Sequence, residues 1–139
     1  METLEIFCRL FSSNVPPPPM GIYHIRAENE GYLLEQEPPA DGIFIEKSSR
    51  RGLFRLSHND DGTISLFSLT RNKYLDSDMN FEGQDKIAKF ELRQPKKPST
   101  DGAIILRLGV KFLVAGKFGT DLTDDDGSAM VFEFEPVKT

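Results

Sequence analysis

The sequence predicts a single all-β domain assembled from three tandem units of about forty residues, and three observations predict it. First, Gly21, Gly62 and Gly102 stand 41 and 40 residues apart, and each opens an alternating stretch: GIYHIRA, GTISLFS and GAIILRL. Second, the triplets GYL, KYL and KFL follow, setting Tyr32, Tyr74 and Phe112 in register, each with a leucine behind it. Third, an aromatic-x-apolar pair closes every unit: Phe54 with Leu56, Phe90 with Leu92, and Phe132 with Phe134.

Within each unit the first strand starts at the glycine. Tyr23, Ile64 and Ile104 lie two residues past it and Ile25, Leu66 and Leu106 four past, so one face is apolar three times, as half-buried strands require. The aromatic triplets read as second strands, with the aromatic and the leucine both assigned to the core. Third strands are expected at GIFIEK (42–47), around Phe81, and at GTDLTD (119–124), the middle one carrying the weakest pattern. The aromatic-x-apolar pairs read as closing strands. Asp41-Gly42, Asp61-Gly62, Asp101-Gly102 and Asp126-Gly127 supply the turn chemistry that hairpins demand.

Residues 1–20 stand outside the pattern. Leu4, Phe7, Cys8 and Phe11 fall at helical spacing, and Pro16 to Pro19 form a short polyproline stretch. The segment reads either as a turn or strand packed on the domain with a stiff connector, or as a docking element: a homodimerising helix, or a proline ligand for an aromatic groove. The chain thus divides into an extension over 1–20 and a domain over 21–139, with units of about 21–60, 61–100 and 101–139.

Three such units are too few, and each too poor in stacking surface, for a solenoid. Twelve strands closed about a pseudo-threefold axis remove the exposed sheet edges, and that arrangement is the β-trefoil. Over residues 21–137 the pattern F-x-L, then D-G-x-I-x-L, then K-Y-L resembles the fascin-like and hisactophilin-like β-trefoils. The resemblance implies a non-enzymatic module that binds actin or another cytoskeletal protein. The histidine-rich surface of hisactophilins is missing, so their pH response is not carried over.

Composition narrows the function classes. At 139 residues the chain is long enough for a core without staples. Its net charge of −5 repels phosphate backbones and anionic lipid, so neither nucleic acid nor a membrane is the expected partner. The single cysteine, Cys8, excludes an internal disulfide and argues for a reducing, cytoplasmic home. The apolar residues near the N-terminus are interrupted by Glu5 and Arg9, unlike a membrane span or a signal peptide.

Catalytic chemistry finds no constellation. His24 and His58 are the only histidines, and no serine lies in a G-x-S-x-G context, so no enzyme, cofactor or metal is expected. The acidic run Asp124 to Asp126 before Gly127 fails the spacing of a calcium-binding EF-hand loop and reads as a hairpin turn. A ricin-like lectin needs Gln-x-Trp, and the chain has no tryptophan. The basic residues gather instead: Lys47, Arg50 and Arg51 flank a loop in the first unit, Arg71 and Lys73 occupy the first hairpin of the second, and Lys96 and Lys97 precede the third. They are the candidate contacts for an acidic protein partner such as actin. The alternative role is protease inhibition by a proline-bounded loop, either Glu37-Pro38-Pro39-Ala40 or Gln94-Pro95-Lys96-Lys97-Pro98, since a rigid loop loses little entropy on binding.

Overall fold

A computed structural model describes residues 15–47, 49–81, 86–95, 103–109, 111–116, 119–125 and 127–138. Among these residues there is no helix, and eleven strands pair throughout in antiparallel fashion. They are β1 (Gly21–Ala27), β2 (Gly31–Glu35), β3 (Ile43–Glu46), β4 (Phe54–His58), β5 (Ile64–Ser68), β6 (Lys73–Tyr74), β7 (Phe90–Arg93), β8 (Ile104–Leu108), β9 (Lys111–Gly116), β10 (Gly119–Thr123) and β11 (Val131–Pro136). The all-β expectation is met.

Six of the strands pair in a closed circuit: β1 with β4, β4 with β5, β5 with β7, β7 with β8, β8 with β11, and β11 with β1. A circuit leaves no edge among its members. The remaining strands extend it as hairpins, with β2 and β3 following β1, β6 following β5, and β9 and β10 following β8.

Pairings recur at the positions two, four and five residues past the three glycines. Tyr23 faces Phe54, Ile64 faces Phe90, and Ile104 faces Phe132. Leu56 faces Leu66, Leu92 faces Leu106, and Phe134 faces Ile25. Tyr32 faces Arg26, Tyr74 faces Phe67, and Phe112 faces Arg107.

Alternation carries apolar side chains to one interior. Tyr23, Ile25 and Ala27 of β1, Phe54 and Leu56 of β4, Phe90 and Leu92 of β7, and Phe132 of β11 form one cluster with Ile64, Leu66, Ile104 and Leu106. The leucines behind the aromatic triplets, Leu33, Leu75 and Leu113, are buried as expected. The aromatics are not alike: Tyr32 is half-buried and Phe112 buried, whereas Tyr74 is 38% exposed, so the aromatic position is a rim position, and only the leucine is consistently core.

The third strands before β4 and β11 appear as β3 and β10, but among the described residues around Phe81 there is no strand. There a single bridge joins Asp76 to Ile87, and Phe81 is buried as an isolated anchor whose amide donates to Asp41 Oδ1 at 2.8 Å. Of the turn dipeptides, Asp101-Gly102 and Asp126 lie outside the described residues; Asp125 holds the last turn, accepting from the Gly127 amide and from the Ser128 hydroxyl.

The helical pattern of Leu4, Phe7, Cys8 and Phe11 lies outside the described residues. From Val15 onward the chain is tied to the domain. The Val15 amide donates to Leu92 O at 2.8 Å, the Tyr23 hydroxyl donates to Pro19 O at 2.7 Å, and His58 Nε2 lies 2.7 Å from Pro18 O. Proline carbonyls keep full acceptor strength although the ring has no N–H. The polyproline stretch therefore runs along the domain surface instead of projecting from it.

Candidate functional site

The β6 strand is only two residues long, and that brevity makes a site. Tyr74 pairs with Phe67 of β5, and the two rings meet edge to face with centroids 5.0 Å apart. The Arg55 guanidinium lies over the same Phe67 ring at 4.6 Å. After β6 the chain turns back: Ser77 donates to Lys86 O and Ala88 to Leu75 O, which lays Lys86 and Ile87 beside Tyr74.

Between these segments lies a cleft of about 300 Å³, with Phe67, Tyr74, Phe81 and Ile87 as apolar walls and Lys73 and Lys86 as cations. A shallower depression of about 720 Å³ continues past Lys86 and Ile87 to Lys89 and Leu108. Ile87 is 49% exposed, so two of the three exposed large hydrophobic residues among the described ones line the same cleft. A soluble surface tolerates single exposed apolar residues; a pair around a concavity signals binding.

Among the described residues, two carboxylates line this surface, and both are engaged. Asp76 lines the cleft but is 5% exposed, and its Oδ1 accepts from the amides of Asp78 and Asn80. Glu91, on the depression, pairs with Arg107 at 3.1 Å and Arg93 at 3.4 Å.

The sequence-predicted basic residues divide. Arg50 lies 3.7 Å from Glu37 and 3.8 Å from Glu46, and Arg51 lies over the Tyr32 ring at 4.3 Å. Arg71 donates to Gln36 O at 2.6 Å and to Ala40 O at 3.3 Å, with its guanidinium 5.4 Å from the Phe81 ring centroid. The structure thus brings Arg50 and Arg71 onto the same 36–40 connection, where they act on the protein's own backbone and carboxylates. Lys47 is exposed at the end of β3, and Lys73 lines the cleft. Lys96 and Lys97 lie outside the described residues.

A buried acid supports this arrangement. Glu35 is 4% exposed; its Oε2 accepts from the Ser68 hydroxyl at 2.6 Å, and Ser68 Oγ in turn accepts from the Arg71 amide at 2.9 Å. Each member orients the next, so the Arg71 backbone is placed from the core outward.

Around Tyr32 the same register position is closed. Its hydroxyl donates to Glu135 at 2.7 and 2.9 Å, and Glu135 lies 3.9 Å from Arg26. The Glu135 bond, then burial, holds the Tyr32 phenol above its ordinary pKa of 10.0, and burial alone raises Tyr23. A raised acid of this kind stabilises the fold fully below pH 10 and loses that contribution as pH climbs through the folded value. Alkaline difference spectra are therefore expected to show Tyr23 and Tyr32 ionising above the ordinary phenol range, and Glu135→Ala should return Tyr32 toward it. An unchanged titration curve in that variant would remove the Glu135 bond as the cause.

His24 Nδ1 lies 2.9 Å from Gly52 O, which accounts for that histidine as a structural group. Sequence reasoning named Lys73 but missed Tyr74, Lys86 and Ile87 as site residues. The one signal available was the pair Ile87-Ala88 set between Lys86 and Lys89. No family model matches the chain, and no curated protein matches it.

Proposed function

We propose that the chain is a β-trefoil of the fascin-like and hisactophilin-like kind and acts as a non-enzymatic protein-binding module in the cytoplasm, docking on actin or another cytoskeletal protein. The trefoil reading is supported by Tyr23, Ile64 and Ile104, each two residues past Gly21, Gly62 or Gly102, each pairing with the aromatic of a closing strand, Phe54, Phe90 or Phe132. The functional reading is carried by one observation: on a chain of net charge −5, the exposed pair Tyr74 and Ile87 is flanked by Lys73 and Lys86. Such a surface attracts acidic proteins and repels the basic ones that the rest of the molecule would attract.

Cosedimentation with actin filaments at physiological salt tests the reading. The protein should pellet above an acidic control of equal net charge, and the double variant Lys73→Glu, Lys86→Glu should fall to the control level. Pelleting no better than the control overturns actin as the partner. Bundling filaments would further require two sites per particle, which a homodimer through residues 1–20 would supply.

A second reading, protease inhibition through Glu37-Pro38-Pro39-Ala40, is favoured by a separate observation. That connection is exposed, and Arg71 holds the carbonyls of Gln36 and Ala40. A loop fixed in advance suits insertion into a protease cleft.

A further inference from the structure

We infer that the surface beneath Pro16 to Pro19 is a recognition groove for proline-rich segments, filled in this chain by its own segment, and that it takes a proline-rich segment of a partner protein once that cover is displaced. Its residues are separate from the Tyr74–Ile87 cleft, so the inference goes beyond the reading above.

The backbone of the cover follows from its sequence. Proline fixes its own φ at about −65° and bars the residue before it from the helical region, so Pro16, Pro17 and Pro18, each followed by a further proline, are confined to polyproline II. That helix has three residues per turn. Burial repeats with the same period: Pro16 and Pro19 are exposed, whereas Pro17 and Pro18 between them are half-buried against the domain. One edge faces water and two face protein, the way a polyproline ligand lies in an aromatic groove.

The groove reads carbonyls. The Tyr23 hydroxyl donates to Pro19 O, and His58 Nε2 lies 2.7 Å from Pro18 O; that oxygen can only accept, so Nε2 carries the hydrogen. A proline segment offers an acceptor at every residue and has no N–H to leave unpaired. One N–H is asked for at the far end, and Val15 supplies it to Leu92 O while its side chain packs on the core cluster. The span fits as well. Four steps of polyproline II cover about 12 Å. In the circuit β7, which holds Val15, stands two strand spacings from β4 and three from β1, roughly 10 to 14 Å at ordinary separation.

The attachment is also exchangeable. Gly21 faces Leu56, so the same register would set Pro19 opposite His58, but prolines cannot donate to a ladder and side-chain donors take over there. His58 is exposed and Met20 is 65% exposed, which opens this end of the groove to water. A competing segment can replace the cover carbonyl by carbonyl.

Fluorescence anisotropy tests this with the full chain and with a full-length variant carrying P16G, P17S, P18G and P19S, in which the carbonyls remain but the stiff helix is lost. The probe is fluorescein-labelled Val-Pro-Pro-Pro-Pro-Met-Gly, compared with Val-Gly-Ser-Gly-Ser-Met-Gly. The substituted chain should bind the proline peptide saturably with Kd below about 1 mM, about tenfold tighter than the parent, whose own segment competes at the high effective concentration of a tethered ligand. Adding His58→Ala or Tyr23→Phe to the substituted chain should weaken binding about fivefold, the loss of one hydrogen bond.

Absence of saturation in the substituted chain, equal binding of the two peptides, equal affinity in parent and substituted chains, or both groove variants within about twofold of their background would each overturn the inference. Every variant should keep the far-ultraviolet circular dichroism spectrum of the parent. Its loss in the substituted chain would also overturn the inference, since a segment that the fold cannot do without is no displaceable cover. So would sedimentation showing a parent dimer that His58→Ala dissociates, because the occupant would then be a second copy.

Discussion

Phe132→Ala is expected to cost about 4 kcal/mol of folding stability, the usual loss for a large aromatic removed from a packed interior. Phe132 is fully buried on β11, the strand that closes the circuit by pairing with β8 on one side and β1 on the other. Its truncation opens a cavity between Ile104 and Ala27, both of which face it across the ladder. Phe54 and Phe90 are also fully buried and stand at matching positions, facing Tyr23 and Ile64. If the three units are equivalent, Phe54→Ala and Phe90→Ala should cost the same within about 1 kcal/mol, the scatter that differing local relaxation produces. Phe134→Ala should cost clearly less, because that ring is only half-buried and rests edge-on against Tyr23 at 5.6 Å. Urea unfolding of the four variants is the measurement, read from the midpoint at constant slope. A cost below about 1 kcal/mol at Phe90 alone would break the equivalence, since a fully buried phenylalanine in a shared core cannot be that dispensable.

The same three aromatics show why much of the fold was legible in the sequence. Alternation is local: whether Phe54 or Leu56 points inward is decided by its own strand's pleat, and the pattern survives in one dimension. Repetition then multiplied a weak signal by three. The site was legible only in part, because what distinguishes Tyr32 from Tyr74 is non-local. Tyr32 is covered by Glu135 from the far end of the chain and by Arg51 from the connection before β4, and nothing beside Tyr32 or Tyr74 in sequence announces that one is covered in this way and the other 38% exposed. Arg71 misled in the opposite sense. Its charge suggested a partner, yet the backbone carbonyls of Gln36 and Ala40 take its donors, an arrangement set by how two units pack and not by any motif. Glu35 was equally hidden: a glutamate ending the run GYLLE reads as a solvated strand end, whereas the hydroxyl of Ser68, 33 residues away, holds it inside.

Gly31→Ala is expected to cost about 3 kcal/mol, combining backbone strain with a steric clash. Gly31 opens β2 with φ at +112°, a region that L side chains rarely adopt. An added Cβ would also run into the carbonyl of Glu46 and the Cα of Lys47, atoms of the backbone that no rotamer change can move aside. Relief would require β2 and β3 to separate where Tyr32 faces Glu46, and that hairpin positions Leu33 in the core and Glu35 against Ser68. Gly62 isolates the strain from the clash. Its φ is +85°, but an added Cβ would meet nothing within 4 Å, so Gly62→Ala should cost only about 1 kcal/mol, the conformational part alone. Urea midpoints of the two variants, measured side by side, decide the matter. Equal losses would mean that the close approach of Glu46 to Gly31 contributes nothing; a larger loss at Gly31 ties the β2–β3 hairpin to a position that only glycine can fill.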